Sequence, residues 1–321
     1  MSKSLRALGA IISVGALLLG AGCGPSGENA GGPPPGQLSV LTAFYPLQFV
    51  TERVAGVHAA IESLTQPGAE PHDLELAPKQ VAAVASADLV VYEKSFQPAV
   101  DEAVTNNGVE NALDITTVVP LAEVNGHEHD HDEHDHDHEH DQHTHDHGGH
   151  DPHVWLDPTN MVTIAEAVAE ELTRIDPDHA DDYQANFEAL TGELTTLDEE
   201  LTQGLASCER TEFITSHAAF GYLAKRYGLT QIAIAGLSPE DEPSPARIAE
   251  IHEEAEAHGV TTIFYETLVS PAVAESVASD LKLKTDVLDP IEGITDKSRG
   301  KDYLAVMASN LDALQKANGC S

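Results

Sequence analysis

The histidines of this chain fall into one dense segment and a small number of isolated positions. Eleven of the 18 histidines lie between residues 127 and 150, where acidic side chains are interleaved with them and no lysine or arginine occurs. Neutral imidazoles and carboxylates at such density bind borderline divalent cations such as Zn²⁺. Because residues 126–151 offer no apolar side chain to bury, we predict a disordered, low-affinity metal-binding loop. Its histidines are His127, His129, His131, His134, His136, His138, His140, His143, His145, His147 and His150.

Three isolated histidines lie where an ordered metal site could form. His72 sits in the turn-rich segment GAEPHDLEL, His153 in DPHVWLDP, and His217 between the strand-like run EFITS and a helix. In open α/β sheets, ligands bind beyond the carboxyl ends of strands, and both His217 and Asp289, at the end of KTDVLD, follow that rule. Three imidazoles with one carboxylate or water form a tetrahedral shell for Zn²⁺. We therefore predict that these four side chains form a zinc site between the two halves of the chain.

Each of these histidines also has an ordinary structural interpretation. A single histidine before a helix is more often a cap or a hydrogen-bonded core residue than a metal ligand. We assign that structural role to the four remaining histidines, His58, His179, His252 and His258.

Strand-like and helix-like segments alternate from Leu38 to the C-terminus. Apolar, β-rich runs predict strands over 38–43, 58–64, 87–93, 212–216, 229–235, 260–266 and 284–289. Proline at the start or glycine at the end of the intervening segments predicts helices, including 78–85, 245–258, about 271–282 and about 300–317. This alternation predicts an α/β fold with two (β/α) lobes, each a parallel sheet flanked by helices.

The clearest helical pattern lies between the two halves. Apolar side chains recur there every three or four residues and share one stripe of a helix: Tyr183, Phe187, Leu190, Leu194, Leu197, Leu201 and Leu205. A helix over 178–205 would be roughly 40 Å long at about 1.5 Å per residue. A core helix of one domain and a coiled-coil strand are alternatives, and we favour a long helix that links the two lobes.

Residues 1–22 have the layout of a signal peptide. Lys3 and Arg6 precede the apolar run AIISVGALLLGAG, which contains no acidic residue. Because the small residues before Cys23 resemble a lipobox, we predict that Cys23 is lipidated, with an ordinary cleaved signal or an uncleaved anchor as alternatives. Residues 23–37 have no apolar periodicity and are expected to form a flexible tether. The protein is thus expected outside the cytoplasm, held to the cell membrane by a lipid.

Export to an oxidising compartment suggests a role for the two other cysteines. Cys208 and Cys320 can form one disulfide, and such a bond would tie the C-terminus to the second half. Two unpaired buried thiols are the alternative. Neither cysteine has a CxxC neighbour, so a zinc–thiolate site is not expected.

The charge balance and the missing motifs exclude two classes of protein. The chain carries 16 Lys+Arg against 54 Asp+Glu, a formal net charge of −38. Nucleic-acid-binding proteins neutralise phosphates with clustered Lys and Arg, and no such cluster occurs in this sequence. The HExxH match at residues 127–131 lies in the His-rich segment and not on a predicted helix, and no nucleophile elbow or Ser/His/Asp signature is present. We therefore expect neither a nucleic acid partner nor an enzyme such as a metallohydrolase.

Three of these segments together resemble a known family. GAEPHDLEL around His72, HVWLDP around His153 and SHAAFGYLAKRYGL around His217 are similar to the signature segments of the zinc solute-binding proteins of bacterial ABC importers, the cluster A-I proteins. The likeness runs from about Leu38 to the C-terminus and includes an acidic His-rich insertion. It implies two lobes, 38–177 and 206–321, joined by a long rigid helix over 178–205.

The resemblance also implies a function and a set of ligands. Such a protein captures Zn²⁺ between its lobes and delivers it to a membrane permease, so we expect a monomer with Zn²⁺ and a permease as partners. His72, His153 and His217 match the ligand positions, and manganese-type relatives usually place a carboxylate at the position of His217, so zinc is favoured. Asp289 falls where relatives supply a carboxylate, while Glu70 is a rival ligand or a hydrogen-bond partner of one. The alternatives are another divalent cargo such as manganese, or a surface metal buffer or adhesin.

Overall fold

The computed structural model describes residues 36–123 and 149–321. The predicted signal peptide, the lipidation residue Cys23, nearly all of the tether and the ten histidines from His127 to His147 lie outside the described residues. Among the helices that are described, none is long and apolar enough to cross a membrane.

The N-terminal lobe is built on a four-stranded parallel sheet with the strand order β2-β1-β3-β4. Its strands are β1 (Leu38–Thr42), β2 (Ala59–Ser63), β3 (Leu89–Tyr92) and β4 (Ala112–Asp114). Its helices are α1 (Tyr45–Ala55), α2 (Pro78–Val84) and α3 (Pro98–Asn107). All three helices carry a proline in the first turn, where the missing N–H removes no helical hydrogen bond.

A short ribbon and two long helices follow this lobe. The ribbon pairs β5 (Ala122–Glu123) with β6 (His150–Asp151) in antiparallel orientation. The helices are α4 (Pro158–Ile175) and α5 (Ala180–Leu205). Asp157 caps α4 because its carboxylate accepts a hydrogen bond from the backbone N–H of Thr159 at 2.8 Å.

The C-terminal lobe repeats the same architecture. Its parallel sheet has the strand order β10-β9-β7-β8. The strands are β7 (Glu212–Thr215), β8 (Thr230–Ala233), β9 (Thr262–Tyr265) and β10 (Lys284–Val287). The helices are α6 (Gly221–Tyr227), α7 (Pro245–His258), α8 (Ala272–Leu281) and α9 (Tyr303–Asn318).

Helix α5 packs against elements of both lobes. It contacts α1 of the N-terminal lobe, the preceding helix α4, and α6 and α9 of the C-terminal lobe. Six of the seven stripe residues named above are buried, and Phe187 is half-buried. Near its end, Gly204 permits a close approach to α9, since a Cβ there would lie 2.9 Å from Leu311 Cδ1. The predicted fold class, two parallel (β/α) lobes joined by a long helix, is confirmed, while the domain boundaries stay a prediction.

A disulfide closes the C-terminal half, as predicted. Cys208, three residues beyond the end of α5, is bonded to Cys320, which follows α9, with an S–S distance of 1.98 Å. The bond spans 112 residues of sequence. It therefore fixes the C-terminus to the end of the linking helix.

The structure differs from the sequence-based expectations at some elements. Residues 150–151, predicted as the end of a disordered loop, form β6, because Asp151 is buried and the Tyr222 hydroxyl donates a hydrogen bond to its carbonyl at 3.1 Å. His150 therefore pairs with Glu123 in the ribbon. Helix α3 and strand β4 were not among the predicted elements; β4 has only three residues, too few for a periodic pattern.

Candidate metal centre

Four buried side chains converge between the two sheets. His72, His153, His217 and Glu292 each offer one ligand atom, and these atoms all lie within 4.8 Å of one another. Oε1 of Glu292 lies 3.4 Å from Nε2 of His72, 3.4 Å from Nε2 of His153 and 3.3 Å from Nε2 of His217. None of the four residues is more than 2% exposed. The structure thus brings together the three histidines that the sequence singled out.

Loops from both lobes supply these side chains. His72 lies in the loop between β2 and α2, and His153 lies between β6 and α4. His217 lies two residues beyond β7, and Glu292 lies in the turn after β10. Two side chains therefore precede α5 in the sequence and two follow it. His217 and Glu292 follow strands of the C-terminal parallel sheet, where open sheets bind ligands.

Two of the imidazoles are oriented by buried carboxylates. Nδ1 of His153 is hydrogen-bonded to Asp151 Oδ1 at 2.8 Å, and Nδ1 of His217 to Glu266 Oε1 at 2.7 Å. Because a carboxylate accepts these bonds, the proton of each ring sits on Nδ1 and the lone pair of Nε2 faces the cluster. Asp151 and Glu266 were not predicted. Glu266 stands at the end of β9, so the strand-end rule that selected His217 could have found it.

Three polar atoms of the cluster have no hydrogen-bond partner in the described part of the chain. Among the described residues, His153 Nε2, His217 Nε2 and Glu292 Oε2 are buried and have no hydrogen-bond partner. Buried polar atoms are normally paired, so several orphaned atoms aimed at one point indicate a site for a ligand. Three imidazole nitrogens and a carboxylate are the donors that a tetrahedral Zn²⁺ ion takes.

Asp289 is not at this cluster. Its Oδ1 accepts a hydrogen bond from the backbone N–H of Ile291 at 2.8 Å, and its Oδ2 accepts one from the Thr267 hydroxyl at 3.0 Å. The carboxylate that faces the three histidines is that of Glu292, three residues further along LDPIEG. Strand β10 ends at Val287, and Asp289 lies two residues beyond it with its carboxylate bonded to Ile291 and Thr267.

Glu70, the other predicted candidate, supports the loop of His72. Its Oε2 accepts a hydrogen bond from the backbone N–H of His72 at 3.0 Å. Burial, reinforced by the negative charge of Glu292, raises the pKa of Glu70 to about 9. Glu70 is not among the four side chains that converge, and its hydrogen bond braces the loop that carries His72.

Charges inside the cluster balance one another. Burial alone would raise the pKa of Glu292, but the facing imidazoles of His153, His217 and His72 outweigh it and hold that pKa well below its ordinary value. Burial would lower the pKa of His217, but Glu266 and Glu292 outweigh it and raise that pKa well above its usual range. For His72, burial prevails and lowers the pKa. Protons and a metal ion therefore compete for the same buried nitrogens.

The sequence and the fold are similar to those of known zinc-binding proteins. The profile of the family "Zinc-uptake complex component A periplasmic" matches residues 40–317. High-affinity zinc uptake system protein ZnuA of Bacillus subtilis (strain 168) is 36% identical over 313 residues, covering 96% of this chain and 96% of that protein. Zinc-binding lipoprotein AdcA of Streptococcus pneumoniae (strain ATCC BAA-255 / R6) is 36% identical over 292 residues, 88% of this chain and 56% of that protein, so this chain spans about half the length of that relative. The crystal structure of Zn(II)-bound AdcA from Streptococcus pneumoniae matches with a TM-score of 0.72 and 34% identity, covering 88% of this chain and 58% of that chain.

Proposed function

This chain belongs to the family of the periplasmic zinc-uptake complex component A, and on that premise we propose that it captures Zn²⁺ for an ABC importer. In this proposal, Zn²⁺ is cargo: it binds between the lobes and is passed to a permease in the membrane. His72, His153, His217 and Glu292 are the proposed ligands.

The observation that carries the proposal is the composition of the buried cluster. Three imidazole nitrogens and one carboxylate oxygen face one another, and none of the four residues is more than 2% exposed. Imidazole-rich shells suit Zn²⁺, whereas Mn²⁺ prefers oxygen donors. Zinc is accordingly the proposed cargo, and manganese is the competitor against which it is tested.

The number of protein ligands also bears on the kind of site. Catalytic zinc sites keep one coordination position open for water or substrate, usually with three protein ligands. Here a fourth side chain, Glu292, faces all three histidines. A shell filled by the protein supports storage and transfer of the ion over hydrolytic chemistry.

The sequences of the N-terminal segment and of the His-rich segment suggest further roles. A lipid on Cys23 would hold the chain at the outer face of the membrane, with residues 24–37 as a tether. The His-rich segment would collect divalent cations and raise their concentration close to the buried cluster. We propose that the chain works as a monomer in this position.

The test is a zinc competition titration on the full chain, with a chelator strong enough to strip the weak His-rich sites. Substitution of His72, His153 or His217 by alanine should weaken the tight site by at least about 100-fold, because each removes one metal bond. His258→Ala is the matched control, since His258 is half-exposed on α7 and pairs with Glu212. Unchanged tight binding in the three site variants would refute the ligand set, and tighter binding of Mn²⁺ would refute the cargo.

Delivery to a permease requires a separate measurement in cells. A strain that lacks the gene should fail to grow in the presence of a zinc chelator, and added zinc should restore its growth. Complementation with the intact chain should restore growth only when the permease gene is present. Equal growth with and without the permease would favour the surface metal buffer over the importer component.

A further inference from the structure

The turn after β10 contains two acidic residues with different surroundings. Glu292 faces the three histidines, while Asp289, three residues earlier, is 2% exposed and bonds only to neutral groups of the described chain. Its carboxylate accepts hydrogen bonds from the Ile291 backbone N–H at 2.8 Å and from the Thr267 hydroxyl at 3.0 Å. A buried carboxylate without a cationic partner is costly, so its presence here calls for an explanation beyond packing.

The backbone next to Glu292 is held in an unusual conformation. Ile291 has a φ of 62°, a left-handed value that is unfavourable for any residue with a Cβ and most of all for a β-branched one. Such a conformation persists only where the surroundings enforce it. The group that Asp289 binds is the N–H of this same residue, and the Ile291 side chain is fully buried.

Two further side chains clamp the turn from outside. The indole N–H of Trp155 donates a hydrogen bond to the carbonyl of Pro290 at 2.7 Å. The amide of Asn310 pairs with the peptide of Asp289, accepting from its N–H at 2.9 Å and donating to its carbonyl at 2.7 Å. These contacts anchor the start of the turn, and the Asp289 carboxylate spans from the anchored residue to the strained one.

We propose that Asp289 is a positioning residue that holds the turn at Ile291 and thereby aims Glu292 at the histidines. Without this carboxylate, the backbone at Ile291 relaxes toward a negative φ, and Glu292 no longer reaches all three Nε2 atoms. This inference rests on the proposed function, because Glu292 is taken as the fourth zinc ligand. The consequence is a faster release of Zn²⁺, since one ligand is held in place less of the time.

A double-mutant cycle on the full chain tests the inference. Zinc affinity and dissociation rate are measured by chelator competition for wild type, D289A, E292Q and D289A/E292Q. D289A should weaken zinc binding by about 10–100-fold, the usual cost of losing a partner that orients a ligand. In the E292Q background the same change should cost less than about twofold, because the group that Asp289 positions is already disabled. A purely structural role would instead lower the stability of both backgrounds and produce the same loss of affinity in each.

Two further variants keep the test decisive if D289A folds poorly. D289N retains an oxygen that accepts the Ile291 N–H, so it should recover most of the affinity, within about fivefold of wild type. Asp114→Ala is the matched control, because Asp114 forms the same two-residue turn with the N–H of Thr116 at 3.0 Å, far along the chain in the N-terminal lobe. D114A should lower the unfolding midpoint and leave zinc dissociation unchanged.

The outcomes separate the two proposals. If E292Q does not weaken zinc binding, the proposed ligand set is wrong, whatever Asp289 does. If E292Q weakens binding but D289A costs the same in both backgrounds, the proposed function stands and the positioning role is wrong. If D289N loses as much affinity as D289A, Asp289 acts through its charge, and the positioning role is again overturned.

Discussion

The carboxylate of Asp151 accepts two hydrogen bonds from His153, one from its backbone N–H at 3.0 Å and one from Nδ1 at 2.8 Å. One side chain therefore fixes both the loop and the ring orientation of a proposed ligand. Glu266 holds the ring of His217 in the same way at 2.7 Å. The two lobes thus use the same device, a buried carboxylate on Nδ1, to turn Nε2 toward a common point.

Removal of the Asp151 carboxylate should weaken zinc binding. D151N keeps the size of the side chain but loses the negative charge that orders the Nδ1 proton, so we expect affinity to fall by about 10–100-fold. Chelator competition on the full chain measures the effect. Asp176→Asn is the control, since Asp176 makes the same contact with His179 Nδ1 at 2.7 Å, outside the proposed site. Equal zinc affinity in D151N and wild type would contradict the prediction.

The disulfide should contribute a large share of the stability. A bond that closes 112 residues of sequence removes conformational entropy from the unfolded chain, with an expected contribution of about 2–5 kcal/mol. The C208A/C320A variant should therefore unfold at a lower urea concentration than the oxidised wild type. Wild type treated with reductant should behave like the variant, and coincident transitions for all three samples would show that the bond contributes nothing.

An ion pair between α5 and α6 predicts a pH-dependent stability. Arg226 donates two hydrogen bonds to Asp198, at 2.6 and 2.7 Å, and these bonds lower the pKa of Asp198 below its ordinary value. A carboxyl whose pKa is lower in the folded state adds stability above its unfolded pKa of about 3.9, and this stability is lost as pH falls through the folded value. D198N should thus lower the free energy of unfolding by about 1 kcal/mol at pH 7, a modest value because the pair is partly exposed.

Chemical denaturation of D198N and wild type from pH 7 down to about pH 2.5 tests this sign. The two free energies should converge at the acid end, where Asp198 is protonated in wild type as well. High salt should reduce the difference at pH 7, since the pair is screened. A difference that stays constant over the whole pH range would mean that packing, and not charge, accounts for the effect.

The parts of the site that could be predicted from sequence are those set by local pattern. His217 follows a short β-branched strand and precedes a helix, so the rule for strand ends selects it without knowledge of the partner lobe, and the structure brings it into the cluster. The apolar stripe on α5 could also be predicted, because apolar residues recur there with the 3.6-residue period of a helix.

The acidic residue that faces the three histidines could not be predicted from local pattern. Asp289 and Glu292 are separated by a proline and by an isoleucine in a left-handed conformation. Asp-Pro and the following glycine of LDPIEG do indicate a turn, but the residue types do not indicate a positive φ at Ile291, because β-branched residues rarely adopt one. Which acid faces the histidines is decided by contacts with Thr267, Trp155 and Asn310, all distant in sequence.

Acidification should release zinc from the buried cluster before the fold is lost. Zinc binding requires the Nε2 lone pairs, while Glu266 and Glu292 outweigh burial and hold the pKa of His217 well above its usual range. Affinity should therefore begin to fall at a pH above about 6.5, the ordinary value for histidine, and continue to fall as pH decreases.

The sole tryptophan of the chain, Trp155, reports on this event because its ring lies 5.2 Å from that of His153. Its fluorescence should change on zinc addition at pH 7.5, and the change should require progressively more zinc toward pH 5.5. The E266Q variant should shift this pH dependence to lower pH. An affinity that is constant between pH 5.5 and 7.5 would contradict the competition between protons and zinc, and H258A serves as the control in which the pH profile stays that of wild type.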